Sequence, residues 1–231
     1  MRKALLFSLI LLALPPAAAG KTRHKPSPAP KAPVVVELYT AQGCASCGAA
    51  NVFVGKLADQ AGVLPLTFSV DYWDYLGWAD TFAKPEFVNR QKAYVARLAL
   101  REPYTPQVVV DGQAEAAGSK TERINRLVRD AAKAARTGPD IRFAGARVYV
   151  GSARAAKGGG DVWLVRYDPR SQEVVVKAGD NKGQTLAEKN VVREIVRLGS
   201  WKGRPTAFRL PPEPDDGLKT AVIVQGARGG R

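Results

Sequence analysis

Cys44 and Cys47 are the chain's only two cysteines, and they stand three residues apart in Gly43-Cys44-Ala45-Ser46-Cys47. Two thiols at this spacing close a small disulfide that opens reversibly by thiol exchange. They cannot staple distant parts of a fold, and a chain of 231 residues can bury an ordinary core without a staple. The pair is therefore read as chemistry rather than reinforcement. At a helix start, unsatisfied backbone N–H groups stabilise a thiolate. Cys44 is then the attacking nucleophile, and Cys47 resolves the mixed disulfide. This chemistry needs no cofactor. Whether the pair oxidises, reduces or isomerises depends on its potential and its electron partner, which residue types do not state.

Other chemistries lack residues. The single histidine, His24, lies in a stretch without hydrophobic periodicity, so Cys-His and Ser-His hydrolase arrangements have no base in the folded part. A structural zinc site would lack two ligands, and no set of metal ligands is read. Glu37 stands inside the apolar run Val34–Tyr39. Buried there, it could take or supply the Cys47 proton, or it could pair with a basic side chain. Both readings stay open at this stage.

The elements that must position these groups follow from hydrophobic spacing. Val34–Tyr39 reads as a buried strand. Cys44–Ala61 reads as a helix, with Val54, Leu57, Ala58 and Ala61 on one face and Gly62 as its stop. Leu64–Val70 is a second strand, and Lys84–Leu100 a second helix with Pro85 near its start. Gln107–Val110 and Gln113–Ala117 form a hairpin about Asp111-Gly112. Ser119 and Glu122 make a capping box for a helix to about Arg136. The basic side chains opposite that helix's apolar stripe read as a solvated face. The order β-α-β-α-β-β-α, with the Cys pair at the first helix, is the arrangement of a thioredoxin core. In such folds a cis-proline precedes the third strand and lies against the Cys pair. Thr105-Pro106 occupies that place, preceded by Tyr104.

Between the second strand and the second helix lies Asp71-Tyr72-Trp73-Asp74-Tyr75-Leu76-Gly77-Trp78-Ala79-Asp80. It leaves the carboxyl end of the sheet, close to the Cys loop. Tyr72, Trp73, Asp74 and Trp78, with Tyr104, are the candidates for contacting substrate. A local aromatic core is the favoured alternative, since large aromatics contribute burial first.

Beyond Thr137-Gly138-Pro139 the pattern changes to short β-rich runs separated by Gly- and Pro-rich breaks. They are Ile141–Val150, Asp161–Tyr167, Glu173–Lys177, Asn190–Leu198, Thr206–Leu210 and Thr220–Gln225. The expected fold class is thus an α/β thioredoxin-like domain over 34–137, followed by a smaller all-β domain over 140–231. The chain starts Met1-Arg2-Lys3, continues apolar to Leu14 and reaches small residues at Ala17–Ala19. That reads as a signal peptide over 1–19, too short to span a bilayer, followed by a basic, Pro-rich leader over 20–33. No transmembrane segment is expected after cleavage, and the expected location is periplasmic or secreted. The formal net charge is +14. Nucleic acid is not the expected partner of an exported chain without a binding motif. An anionic envelope surface suits the charge, although a generally basic, soluble surface is favoured.

VVELYTAQGCASCGAAN, SVDYWDYLGWADTF, RQKAY and YTPQVVVDG together resemble a bacterial family of secreted, thioredoxin-like proteins of unassigned function. NKGQTLAEKNVVREIVRLGSWKG, from Asn181 to Gly203, is similar to that family's C-terminal signature. The resemblance implies a thioredoxin-like domain and a β-rich one, and names no substrate. The family usually carries Ser-Ser between the cysteines and two prolines after the second. Here Ala45-Ser46 and Gly48-Ala49 stand there. The expected function is an exported thiol–disulfide oxidoreductase, acting on protein or small thiols with an unknown redox partner. The alternatives are a non-enzymatic binding module with a structural disulfide and, behind it, a Cu(I)-handling protein, since two thiolates suit that ion.

Overall fold

The computed structural model describes residues 32–134, 138–155, 158–213 and 217–226. The expected signal peptide and all but the last two residues of the leader lie outside the described residues. No helix among the described residues is long and apolar enough to cross a membrane.

Alternation along the first strand, β1 (Val34–Thr40), organises the molecule. Val36 and Leu38 face one way, where they meet Val54 and Leu57 of helix α1 (Cys47–Leu57) and Ile124 and Val128 of α3 (Thr121–Lys133). Tyr39 faces the other way, against Phe68 of β2 (Val63–Ser69) and Phe87 and Tyr94 of α2 (Pro85–Arg97). A period of two in the strand thus becomes two helical layers on opposite faces of one sheet. β1 pairs parallel with β2 and antiparallel with β3 (Gln107–Val110), which turns into β4 (Ala114–Ala117). Asp111 and Gly112 of that turn both have positive φ, +48° and +64°, and the Gln113 N–H closes the turn on the Val110 carbonyl at 3.0 Å.

The expected separate all-β domain is not there. The largest sheet has seven strands, ordered β12-β7-β10-β2-β1-β3-β4. β7 (Gly160–Asp168), β10 (Val191–Trp201) and β12 (Lys219–Gly226) extend the first strands' own sheet. The chain is therefore not a simple thioredoxin fold with a second domain appended, but a mixed α/β structure with three α-helices among the described residues. The physical reason is the edge that β2 would otherwise expose. Val191 pairs with Thr67, the Thr67 N–H donates to the Asn190 carbonyl (3.0 Å), and the Asn190 side chain donates to the Pro65 carbonyl (2.8 Å). Val165 and Val192 then share the apolar cluster of Tyr39, Phe68 and Phe87.

A three-stranded sheet, β11-β6-β5 (Thr206–Arg209, Arg147–Val150 and Ile141–Ala144), rests on the distal end through Val148, Val150, Val162, Trp201 and Phe208. β8 (Gln172–Val175) and β9 (Thr185–Glu188) form a two-stranded ribbon. β9 has no counterpart in the sequence reading.

Two local expectations also change. α1 begins at Cys47, so Cys44 lies in the turn before it. The Ser119–Glu122 capping box does not form, because Lys120 is the N-cap of α3. The Lys120 N–H turns back to the Ala117 carbonyl and the Ile124 N–H reaches the Lys120 carbonyl, which moves the helix start one residue on.

Candidate active site

β1 delivers the chain to a tight turn in which the Cys44 N–H donates to the Ala41 carbonyl and the Cys47 N–H to the Cys44 carbonyl, both at 3.1 Å. This geometry brings the two residues together as a disulfide, with Cα atoms 5.4 Å apart. Ser46 is the N-cap of α1, and its hydroxyl caps no helical N–H. The first-turn amides of α1 therefore keep their positive end for the neighbouring sulfurs. The Ser46 hydroxyl lies 3.7 Å from Cys44 Sγ. Both cysteines are covered: Cys44 is 2% exposed and Cys47 0%.

The Thr105–Pro106 bond is cis. Pro106 and Ala50, in the first turn of α1, both close on Gly118, where an added Cβ would lie 2.8 and 2.7 Å from their Cβ atoms. Thr105 is tied in by Trp73, whose Nε1 donates to Thr105 Oγ1 at 2.7 Å. The same tryptophan lies against Gly43, where a Cβ would sit 3.3 Å from Trp73 Cβ. Trp73 thus bridges the residue before Cys44 and the residue before Pro106. The Tyr104 carbonyl accepts from Gln91 Nε2 (2.8 Å), and its hydroxyl donates to Glu115.

The aromatic segment divides its tasks. Tyr72 and Trp73 pack against the core, and the Tyr72 hydroxyl donates to Gln91 Oε1 (3.2 Å). Trp78 Nε1 donates to Gln42 Oε1 (2.9 Å), in the turn that leads to Cys44. Asp74 accepts the Asp80 N–H at 3.0 Å and so shapes the loop rather than facing outward. Tyr75, which the sequence reading did not single out, is 77% exposed and stacks on Trp73 with centroids 6.3 Å apart.

Glu37 is occupied. Arg90 Nε and Nη2 reach its two oxygens at 2.6 and 2.8 Å, and the Tyr94 and Tyr39 hydroxyls donate at 2.5 and 3.1 Å. Of its two expected settings, the observed one is the ion pair. Burial, with the Glu37 charge adding to it, holds the Tyr39 hydroxyl well above its usual range.

Residues the sequence reading missed complete the surroundings. Asp80 accepts the Gln42 N–H (2.7 Å) and the Phe82 N–H (2.9 Å), and burial still raises it to about 6. Glu188, at the end of β9, is raised to about 8 by burial and by the Asp80 charge. Its Oε2 accepts from Ser69 Oγ at 3.4 Å, while Oε1 is buried without a partner among the described residues. Asn181 is buried and donates from Nδ2 to the carbonyls of Gln42 and Cys44, each at 2.9 Å. The one available signal was that Asn181 opens the C-terminal signature quoted above. Nothing in local spacing links it to Cys44. Among the described residues no three His, Cys, Asp or Glu side chains cluster as metal ligands.

Residues 35–225 match the model of a family described as a protein of unknown function, DUF1223. The chain belongs to this family. A crystal structure of a protein from Agrobacterium tumefaciens is similar at 32% identity, covering 79% of this chain and 80% of that one, with a TM-score of 0.64. HBP35 of Porphyromonas gingivalis is 15% identical over 86% of this chain and 65% of its own. Its TM-score is 0.45. No curated protein matches the chain.

Proposed function

We propose that this member of the family is an exported thiol–disulfide oxidoreductase with Cys44–Cys47 as its redox pair. The observation that carries the reading is the disulfide itself: the chain's only two cysteines, bonded across the start of α1. In the oxidised form, a substrate thiolate attacks Cys44 Sγ. The Cys44–Cys47 bond breaks, and Cys47 leaves as a thiolate favoured by the first-turn amides. A second substrate thiolate then attacks the mixed disulfide and releases Cys44. The substrate loses two electrons and two protons, and the pair gains them as two thiols. Trp73 and Thr105 form the wall along which an extended substrate would lie. The basic, apolar start of the chain supports action outside the cytoplasm.

A second reading is favoured by one observation, the near-complete burial of both cysteines. It makes the protein a non-enzymatic binding module with an inert disulfide. The reduction potential separates the two. Equilibration in thiol–disulfide buffers, read by free-thiol counts, is expected to give a value between about −120 and −270 mV, the range of exchange catalysts. A value well below about −300 mV marks a structural disulfide and ends the catalyst reading.

A further inference from the structure

The C-terminal signature that begins at Asn181 has no part in the exchange steps above, yet it is bonded to the backbone of the turn that carries Cys44. The segment 176–188 runs from the end of β8 through a turn into β9. Backbone bonds that shape its turn run from Val176 N–H to the Gln184 carbonyl (3.0 Å), Gly183 N–H to Val176 (2.8 Å), Lys182 N–H to Gly179 (3.1 Å) and Gln184 N–H to Asn181 (2.9 Å). At one end Gly179 lies against Leu76 of the aromatic segment, so close that a Cβ would be 3.4 Å from Leu76 Cβ. In the middle Asn181 holds the Gln42 and Cys44 carbonyls. At the other end Leu186 lies over α1, its Cδ2 3.2 Å from where a Cβ on Gly48 would be. Gly48, with no side chain, leaves that room. The segment therefore touches the structure on both sides of Cys44 and the loop that carries it.

We propose that residues 176–188 cap the Cys44–Cys47 disulfide, and that Asn181 is the positioning residue that clasps the cap and so sets how fast a thiol reaches Cys44 Sγ. This regulates the site of the proposed oxidoreductase and rests on that reading for its purpose, while the cap itself does not depend on it. Asn181 suits the task because one amide nitrogen supplies two donors to two carbonyls, both buried away from competing water. With the clasp closed, Cys44 is shielded. With it open, the aromatic wall and the sulfur face solvent together.

The test uses the oxidised full chain and dithiothreitol as the probe, with the reduction rate followed by free-thiol release. Asn181→Ala removes both donated bonds and is expected to speed reduction roughly tenfold. Leu186→Ala, which loosens the cap at its other end, is expected to move the rate in the same direction, and it carries the test if Asn181→Ala does not fold. Val148→Ala, in the distal cluster, destabilises the fold away from the cap and is expected to leave the rate unchanged. The equilibrium potential is expected to stay the same in Asn181→Ala. Rates of both cap variants within about twofold of the parent overturn the proposal. So does an equal acceleration in Val148→Ala, or a shifted potential without a faster rate. A parent potential in the structural range would end the catalyst reading and leave the cap standing if the cap variants still react faster.

Discussion

Glu37 and Glu188 are both buried glutamates on strands, and their surroundings give them different roles. Glu37 meets a guanidinium on two sides and two hydroxyls. Arg90 in turn lies over the rings of Phe68, Tyr94 and Trp163, and reaches Gln225 of β12 at 3.3 Å. That network ties β1, α2, β7 and β12 together, across the boundary where two domains were expected. Glu188 has a serine at 3.4 Å, one oxygen without a hydrogen-bond partner among the described residues, and the Asp80 carboxyl nearby; burial and that charge outweigh the lowering influence of Gln42 and Arg193. The matched donors make Glu37 an anchor between strands and helix. A buried acid without them keeps its proton. Residue type is the same in both, so the difference lies in the donors and charges that surround each group.

The sharpest way to break this contrast is Arg90→Met. It leaves Glu37 buried with its ion-pair partner gone, and a loss of about 3–5 kcal/mol in unfolding free energy is expected by urea denaturation. A loss below about 1 kcal/mol would mean that the Arg90–Glu37 pair does not anchor the fold.

Glu188→Gln tests the other acid. The folded chain holds the Glu188 proton to about 8, against an ordinary value of 4.5, so it binds more protons than the unfolded chain between those limits. Stability from this group is full below pH 4.5 and is lost as pH rises through 8. Glu188→Gln is expected to flatten that fall by on the order of 1–3 kcal/mol, read from denaturation curves at several pH values. An unchanged slope would show that Glu188 is ionised in the fold, and the contrast with Glu37 would collapse.

The smallest effect refines the Glu37 side. Tyr39→Phe removes one of the donors to Glu37 and leaves three, and a cost of about 1 kcal/mol is expected in the same assay. A cost above about 3 kcal/mol would mean that the network depends on each member rather than sharing the load.

Much of the local structure was legible. Pro85 marked the start of α2, and Asp111-Gly112 marked the hairpin, because each acts on φ within one or two residues. β9 was not legible, because Thr-Leu-Ala-Glu carries little strand propensity and forms only by pairing with β8. The aromatic segment was recognised as unusual, but its division between core, Cys loop and solvent was not. Periodicity cannot tell which ring of Tyr72, Trp73, Tyr75 and Trp78 finds a partner.

By itself the sequence determined where a disulfide could form, since only two cysteines exist and their spacing permits one. It also determined the order of the first seven elements, which depends on short-range patterns of burial and turn formation. The tertiary structure decided the rest. It joined β10 to β2 through Val191 and Thr67, gave Glu37 its partner 53 residues away and brought Asn181 to Cys44 across 137. These contacts link positions far apart in the chain, and a hydrogen bond between distant residues leaves no periodic trace around either one.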